Sequence, residues 1–134
     1  MLKQVSVFGE NCRGALQKIT GILMEKDINI WGSVASDSAE YGIVRMVVSN
    51  PELAAASLKQ AGYLCQLTDV MGVEVEDKVG NLNCLLLALQ ESNINVNYIY
   101  LSYNRASGKP VMVLHTDDIW EVEECIANKG FSML

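Results

Sequence analysis

Two short turns hold the residues best placed for chemistry. Asn11-Cys12-Arg13-Gly14-Ala15-Leu16 and Asp77-Lys78-Val79-Gly80-Asn81-Leu82 each set a polar residue three positions before a glycine, where an alternating strand pattern gives way to a helical one. A strand-to-helix turn leaves the first amides of the helix unpaired and positively polarised, so it receives a carboxylate readily. A glycine there lets a ligand approach the backbone with no side chain in the way. Asn11 or Asp77 could face an ammonium group, and a neighbouring apolar wall could hold a side chain. An amino acid has all three parts. The same residues also have plainer uses: Asn11 and Asp77 suit helix caps, Gly14 and Gly80 suit turns or close packing, and Leu16 and Leu82 suit the core.

Other chemistry finds little support. His115 is the only histidine and ends an apolar strand pattern, which suits a hydrogen-bonded strand-end residue better than an acid or base. There is no Gly-x-Ser-x-Gly, His-Glu-x-x-His or Gly-rich phosphate loop with Lys. Cys12, Cys65, Cys84 and Cys125 stand far apart, so they read as reduced apolar fillers, neither a metal site nor a disulfide framework. The run Asp117, Asp118, Glu121, Glu123 and Glu124 begins a helix, where acidic residues oppose the dipole and face water. We therefore expect no catalytic residues, no metal and no cofactor. Trp31, Tyr98, Tyr100 and Tyr103 could stack on bases, but without a basic surface they fit better as interface aromatics or pocket walls.

The elements that must position the turns repeat themselves. Gly14 and Gly80, Asn29 and Asn95, and Leu23 and Leu89 are each 66 positions apart. One offset held over a whole segment marks an internal repeat of about half the chain. Residues 3–9 alternate, with Val5 and Val7 on one face and Gln4 and Ser6 on the other, as in a strand with one buried face. Asn11 then caps a helix to about residue 26, carrying Leu16, Ile19 and Leu23. A strand follows through Val34 and Ala35, a hairpin at 37–42 and a strand at 43–48. Asn50-Pro51-Glu52 reads as cap, first-turn proline and acidic first turn of a helix to about residue 61, and a strand at 63–68 closes the half. The second half repeats the order: a strand with Met71, Val73 and Val75, a helix at 80–91, strands at 94–103 and 111–115 around a hairpin at 105–108, and a helix at 117–128. Gly130-Phe131 echoes Gly62-Tyr63 at an offset grown to 68.

Strand, helix, strand, strand, helix, strand is the split βαβ, or ferredoxin-like, unit. The fold class is α+β: two βαββαβ units, 1–68 and 69–134, each an antiparallel sheet with helices on one face. On the helix at 80–91 the stripe Leu82, Leu85, Leu86 and Leu89 reads as core. Cys84, Leu87 and Ala88 are apolar too, so a sister half or a second copy should cover another face. The formal net charge of −6 and a pI near 4.7 argue against a nucleic-acid partner. No apolar run approaches the roughly 18 to 20 residues of a membrane span, nor is there a signal-peptide pattern, which reads as a soluble, cytoplasmic protein.

Taken in order, the duplicated unit, the openings Asn11-x-x-Gly14-x-Leu16 and Asp77-x-x-Gly80-x-Leu82, and the exits Ile28-Asn29-Ile30 and Ile94-Asn95-Val96 resemble tandem ACT domains over essentially the whole chain. The family commonly has Pro before the loop glycine, where this chain has Arg13 and Val79. The resemblance implies a regulatory module that binds amino acids, as in aspartokinase, phosphoglycerate dehydrogenase and acetolactate synthase regulatory subunits. It implies a ligand between two ACT units, touching the loop of one and the start of the second strand of the other. Carried over, that names Asn11, Arg13, Gly14, Ala15 and Leu16 with Asn29 and Ile30, and Asp77, Gly80, Asn81 and Leu82 with Asn95 and Val96. The expectation is a non-enzymatic, dimeric amino-acid sensor that signals to a separate enzyme or regulator, its apolar walls favouring a branched-chain or aromatic ligand. The alternative is a ligand-free interaction or scaffold module, or a regulatory subunit of an enzyme of amino-acid metabolism. An acylphosphatase-like enzyme on the same fold would need an anion-binding Arg loop and a catalytic Asn, and none is evident.

Overall fold

The computed structural model describes every residue except Asn11 and 38–41, and of Asp37 the backbone alone. The expected cap and ligand contact at Asn11 and the hairpin residues Ser38, Ala39, Glu40 and Tyr41 lie outside the described residues. The elements run β1 (Leu2–Gly9), α1 (Ala15–Glu25), β2 (Ile30–Asp37), β3 (Gly42–Val48), α2 (Pro51–Gln60), β4 (Leu64–Glu74), α3 (Asn81–Glu91), β5 (Val96–Tyr103), β6 (Pro110–Thr116), α4 (Ile119–Asn128) and β7 (Ser132–Met133). They form two compact units, 3–68 and 1–2 with 69–134. Among the described residues no helix is long and apolar enough to cross a membrane.

In the first unit β3 pairs antiparallel with both β1 and β2, matching Val5 with Met46 and Ala35 with Val44. In the second, β6 takes the place of β3, matching Met71 with Leu114 and Leu101 with Met112. The repeat reaches down to backbone irregularities. β2 advances two residues against one of β3 between Ile30 and Gly32, and β5 does the same against β6 between Val96 and Tyr98. α1 and α3 are followed by non-glycine residues in the left-handed region, Asp27 and Asn93, both at φ 57°. Asp and Asn tolerate that region better than most side chains. The next amides, of Ile28 and Ile94, return to the carbonyls of Leu23 and Leu89 at 3.0 and 2.9 Å and close the helix ends.

Each unit buries one apolar cluster between its helices and its sheet. Val5, Val7, Leu23, Met46 and Leu58 anchor the first, and Met71, Val73, Leu85, Leu89, Leu114 and Ile126 the second. Two sequence expectations change here. The strands expected at 63–68 and around Met71 are one continuous strand, β4, which carries on through Thr68 and Asp69. β1 also buries both faces: Gln4 and Ser6 are as enclosed as Val5 and Val7. Their polarity is met inside the unit, where Gln4 Nε2 donates to Ser6 Oγ at 3.0 Å and Ser6 Oγ lies 3.3 Å from Thr68 Oγ1.

α2 begins as its sequence indicates. Asn50 Oδ1 accepts from the Leu53 amide at 3.2 Å, Pro51 opens the helix, and Glu52 lies in the first turn. Asn50→Ala removes that acceptor and should cost about 1 kcal/mol, read as a lower denaturant midpoint with an unchanged slope.

Candidate functional site

α1 and α3 start differently from the capping pattern expected of them. The residue before each helix is a glycine in the left-handed region, Gly14 at φ 80° and Gly80 at φ 87°, which has no side chain to cap with, and neither first turn holds an acidic residue. The amides of Ala15 and Asn81 return to the carbonyls of Cys12 and Lys78 at 3.1 and 3.3 Å. The first regular helical bonds run from Lys18 to Gly14 and from Cys84 to Gly80. Asp77 is therefore not the cap of α3, and Gly14 holds the position expected of Asn11. A Cβ added at either glycine would meet nothing within 4 Å among the described residues.

Beside the first turn lies a cleft of about 290 Å³. Ala15, Leu16 and Ile19 of α1 form one wall, Ala35 of β2 with Ile43 and Val44 of β3 another, and Tyr63 closes an end. Glu10, Cys12, Lys18 and Ser36 bring the polar groups. Ala35 and Val44 are paired across the ladder, and Gly9 opposite Gly42 keeps the mouth free of side chains. Leu16, expected in the core, is 50% exposed and lines the cleft. One helical turn on, Ile19 carries the buried stripe. The helix thus offers amides without an intrahelical acceptor, those of Leu16 and Gln17, next to apolar surface.

A smaller cleft of about 230 Å³ lies at the matching place in the second unit, lined by Val75, Glu76, Lys78, Asn81, Cys84 and Phe131 among others. Here the chain's own side chains occupy the corner. Asn81 Oδ1 accepts from the Leu82 amide at 2.5 Å, and Asn81 Nδ2 donates to the Glu76 carbonyl at 2.9 Å. Lys109 Nζ lies 2.8 Å from Glu76 Oε1. Ser107 Oγ and Asn104 Nδ2 both donate to Glu74 Oε1, the latter at 3.4 Å.

The hydrogen bond and charge of Lys109 hold the Glu76 carboxyl below the usual glutamate range, and Glu76 raises Lys109 in return. A carboxyl depressed on folding contributes stability above its unfolded pKa, and that contribution fades as pH falls through the folded value. Lys109→Met should therefore move the Glu76 titration upward, visible in side-chain NMR shifts against pH. Because the pair is exposed, the melting temperature should hardly change.

The remaining residues expected as contacts do not line these two clefts. Arg13 is exposed and is not part of the first cleft wall. Asn29 is exposed, its backbone joined to Ser49 in both directions at 2.9 Å, and Ile30 packs on the core. Both follow the far end of α1, an 11-residue helix about 16 Å long, so the first unit does not bring them to Gly14 and Leu16. Asp77 is exposed, Leu82 is 36% exposed, Asn95 is exposed beyond α3, and Val96 packs on the second core. Glu10, Lys18, Ala35, Ile43, Val44 and Tyr63 were not read as site residues. The strand alternation that puts Val44 on the face of Val7 was the available signal.

Other candidates settle into structural roles. His115 stacks on Tyr98 with ring centroids 5.2 Å apart, and its Nδ1 lies 3.0 Å from Asn97 Nδ2. Of the four cysteines only Cys65 is a buried filler, its thiol pKa raised by burial; Cys12 and Cys84 are exposed at the two helix starts.

No sequence among the curated proteins matches the chain. The structure of a protein from Bacteroides thetaiotaomicron is similar at 28% identity, with a TM-score of 0.89 over 99% of this chain and 91% of that one. The ligand-free regulatory subunit of aspartate kinase from Thermus thermophilus aligns at 14% identity and a TM-score of 0.68, covering 94% of this chain and 91% of its own. Aspartokinase alpha and beta subunits align at 14% identity and a TM-score of 0.62, covering 94% and 90%. At that identity the last two show a shared fold. A family model described as an ACT domain pair matches residues 1–134, so the chain belongs to the ACT domain family.

Proposed function

We propose that this ACT domain pair is a non-enzymatic regulatory protein that binds a free amino acid at the corner where β1 turns into α1. One observation carries the reading: the apolar cleft of about 290 Å³ adjoins a helix start whose cap residue is a glycine and whose first turn holds no acidic residue. The ligand carboxylate takes the amides of Leu16 and Gln17, where the dipole favours an anion. Its ammonium faces Glu10, and its side chain lies against Leu16, Ile19, Ile43 and Val44. Those walls favour a branched-chain or aromatic ligand. The family's regulatory setting supports a dimer that passes the signal to a separate enzyme or regulator. Binding shifts a balance of arrangements only by its differential affinity for them.

Thermal melts and calorimetry with the standard amino acids test this. A branched-chain or aromatic member at about 100 times its Kd should add about 2.7 kcal/mol of stability. Silence across the panel would sink the reading. A second reading has its own observation: Leu86 and Leu87 of α3 are 38% and 47% exposed, although Leu86 was expected in the core stripe. A ligand-free interaction module would use that surface, and a stoichiometric partner in a pull-down together with a silent panel would favour it.

A further inference from the structure

The two corners share a backbone but not a state, and Asn81 makes the difference. We propose that Asn81 closes the second corner from within, so that a carboxylate ligand is taken at the first corner alone. The inference deepens the amino-acid reading of the first corner and rests on it for the ligand, but not for the closure.

The residue 66 positions before Asn81 is Ala15, at the same place in the first helical turn. A methyl group has no acceptor to offer, so among the described residues no side chain takes the Leu16 amide as Asn81 takes that of Leu82. The Asn81 amide oxygen instead takes the Leu82 amide at 2.5 Å, while its NH2 is anchored on the Glu76 carbonyl at 2.9 Å. A neutral oxygen held in place by its own chain competes with any carboxylate at no cost in translational freedom.

Lys18 and Cys12 beside the first cleft are matched by Cys84 and Lys78 beside the second, so each corner keeps one cation and charge does not separate them. Gly9 is matched by Val75, and through the ladder Ala35 by Leu101 and Val44 by Met112. Glu76 has its own cation in Lys109, whose side chain stands across the loop at 2.8 Å. The second corner is smaller, more polar and already paired.

The test exchanges the two residues and reads each corner separately by NMR, with sodium acetate and then leucine as probes. In the unaltered chain the Leu16 amide should shift with either probe and the Leu82 amide with neither. In Asn81→Ala the Leu82 amide should exchange with solvent about fivefold faster, the scale of one net hydrogen bond, and should begin to shift with acetate. Ala15→Asn should do the converse, slowing Leu16 exchange and abolishing its response. Because each variant copies the residue its sister unit already carries there, the local backbone accommodates it. A Leu82 amide that responds to acetate in the unaltered chain overturns the proposal, as does one whose exchange is unchanged in Asn81→Ala. If acetate gives the expected contrast but leucine and every other amino acid move neither corner, the closure stands and the amino-acid reading falls.

Discussion

Leu23→Ala should cost the first unit about 3 kcal/mol, within the range of roughly 2 to 5 known for buried leucines. Leu23 is fully buried and packs with Val5, Val7, Met46 and Leu58. Its carbonyl also accepts the Lys26 and Ile28 amides that close α1, so a shift of the backbone into the void would disturb the helix end as well. Leu89→Ala, 66 positions on and equally enclosed, should cost a similar amount in the second unit. Denaturant melts give the size, and amide exchange gives the place. Leu23→Ala should loosen β1, β3 and α1 first, and Leu89→Ala β6 and α3. A loss under about 1 kcal/mol would mean that the neighbours collapse into the space, against the close packing the core shows.

Gly14→Val should do two things that Gly80→Val does only in part. At φ 80° and 87° both glycines hold a conformation that costs an L residue about 1 to 2 kcal/mol, and more for a β-branched one. Among the described residues nothing stands within 4 Å of a Cβ at either position, so the cost is torsional and should be nearly equal, a fall of several degrees in melting temperature. Ligand response should separate them. Relaxing the backbone at Gly14 turns the Leu16 and Gln17 amides away from the cleft and abolishes the stabilisation by added amino acid, whereas Gly80→Val leaves it intact. Equal loss of response in the two variants would contradict a ligand held at the first corner.

Gly14 and Gly80 also show how far the sequence could be read. Their spacing announced a repeat, and glycine at a strand-to-helix turn announced a special backbone. The rule that assigns caps looks for a side-chain oxygen, though, and the residue before each helix is a glycine, which has none. Asn50, with its proline and acid, follows the rule and sits as expected. The periodicity of α1 and α3 identified which residues are apolar but not which are covered. Leu85 and Leu89 are enclosed while Leu82 and Leu86 of the same stripe stand more than a third exposed. The alternation of β1 has the same limit: the polarity of Gln4 and Ser6 suggests a solvent-facing side, yet they are hydrogen-bonded inside. The first cleft could not be assembled from the turn alone, because one of its walls comes from the β2 and β3 ladder, a long-range pairing that local spacing does not encode.

The doubled irregularity at Ile30/Gly32 and Val96/Tyr98 has a consequence for how the chain behaves in a crowded solution. β2 and β5 each lie at the margin of a ladder, where unspent peptide groups invite a foreign strand to add on. A kink near the beginning of each margin throws such a strand out of step after a few residues. Present in both copies, the shift should hinder strand addition at either margin in a molecule half of whose residues are hydrophobic.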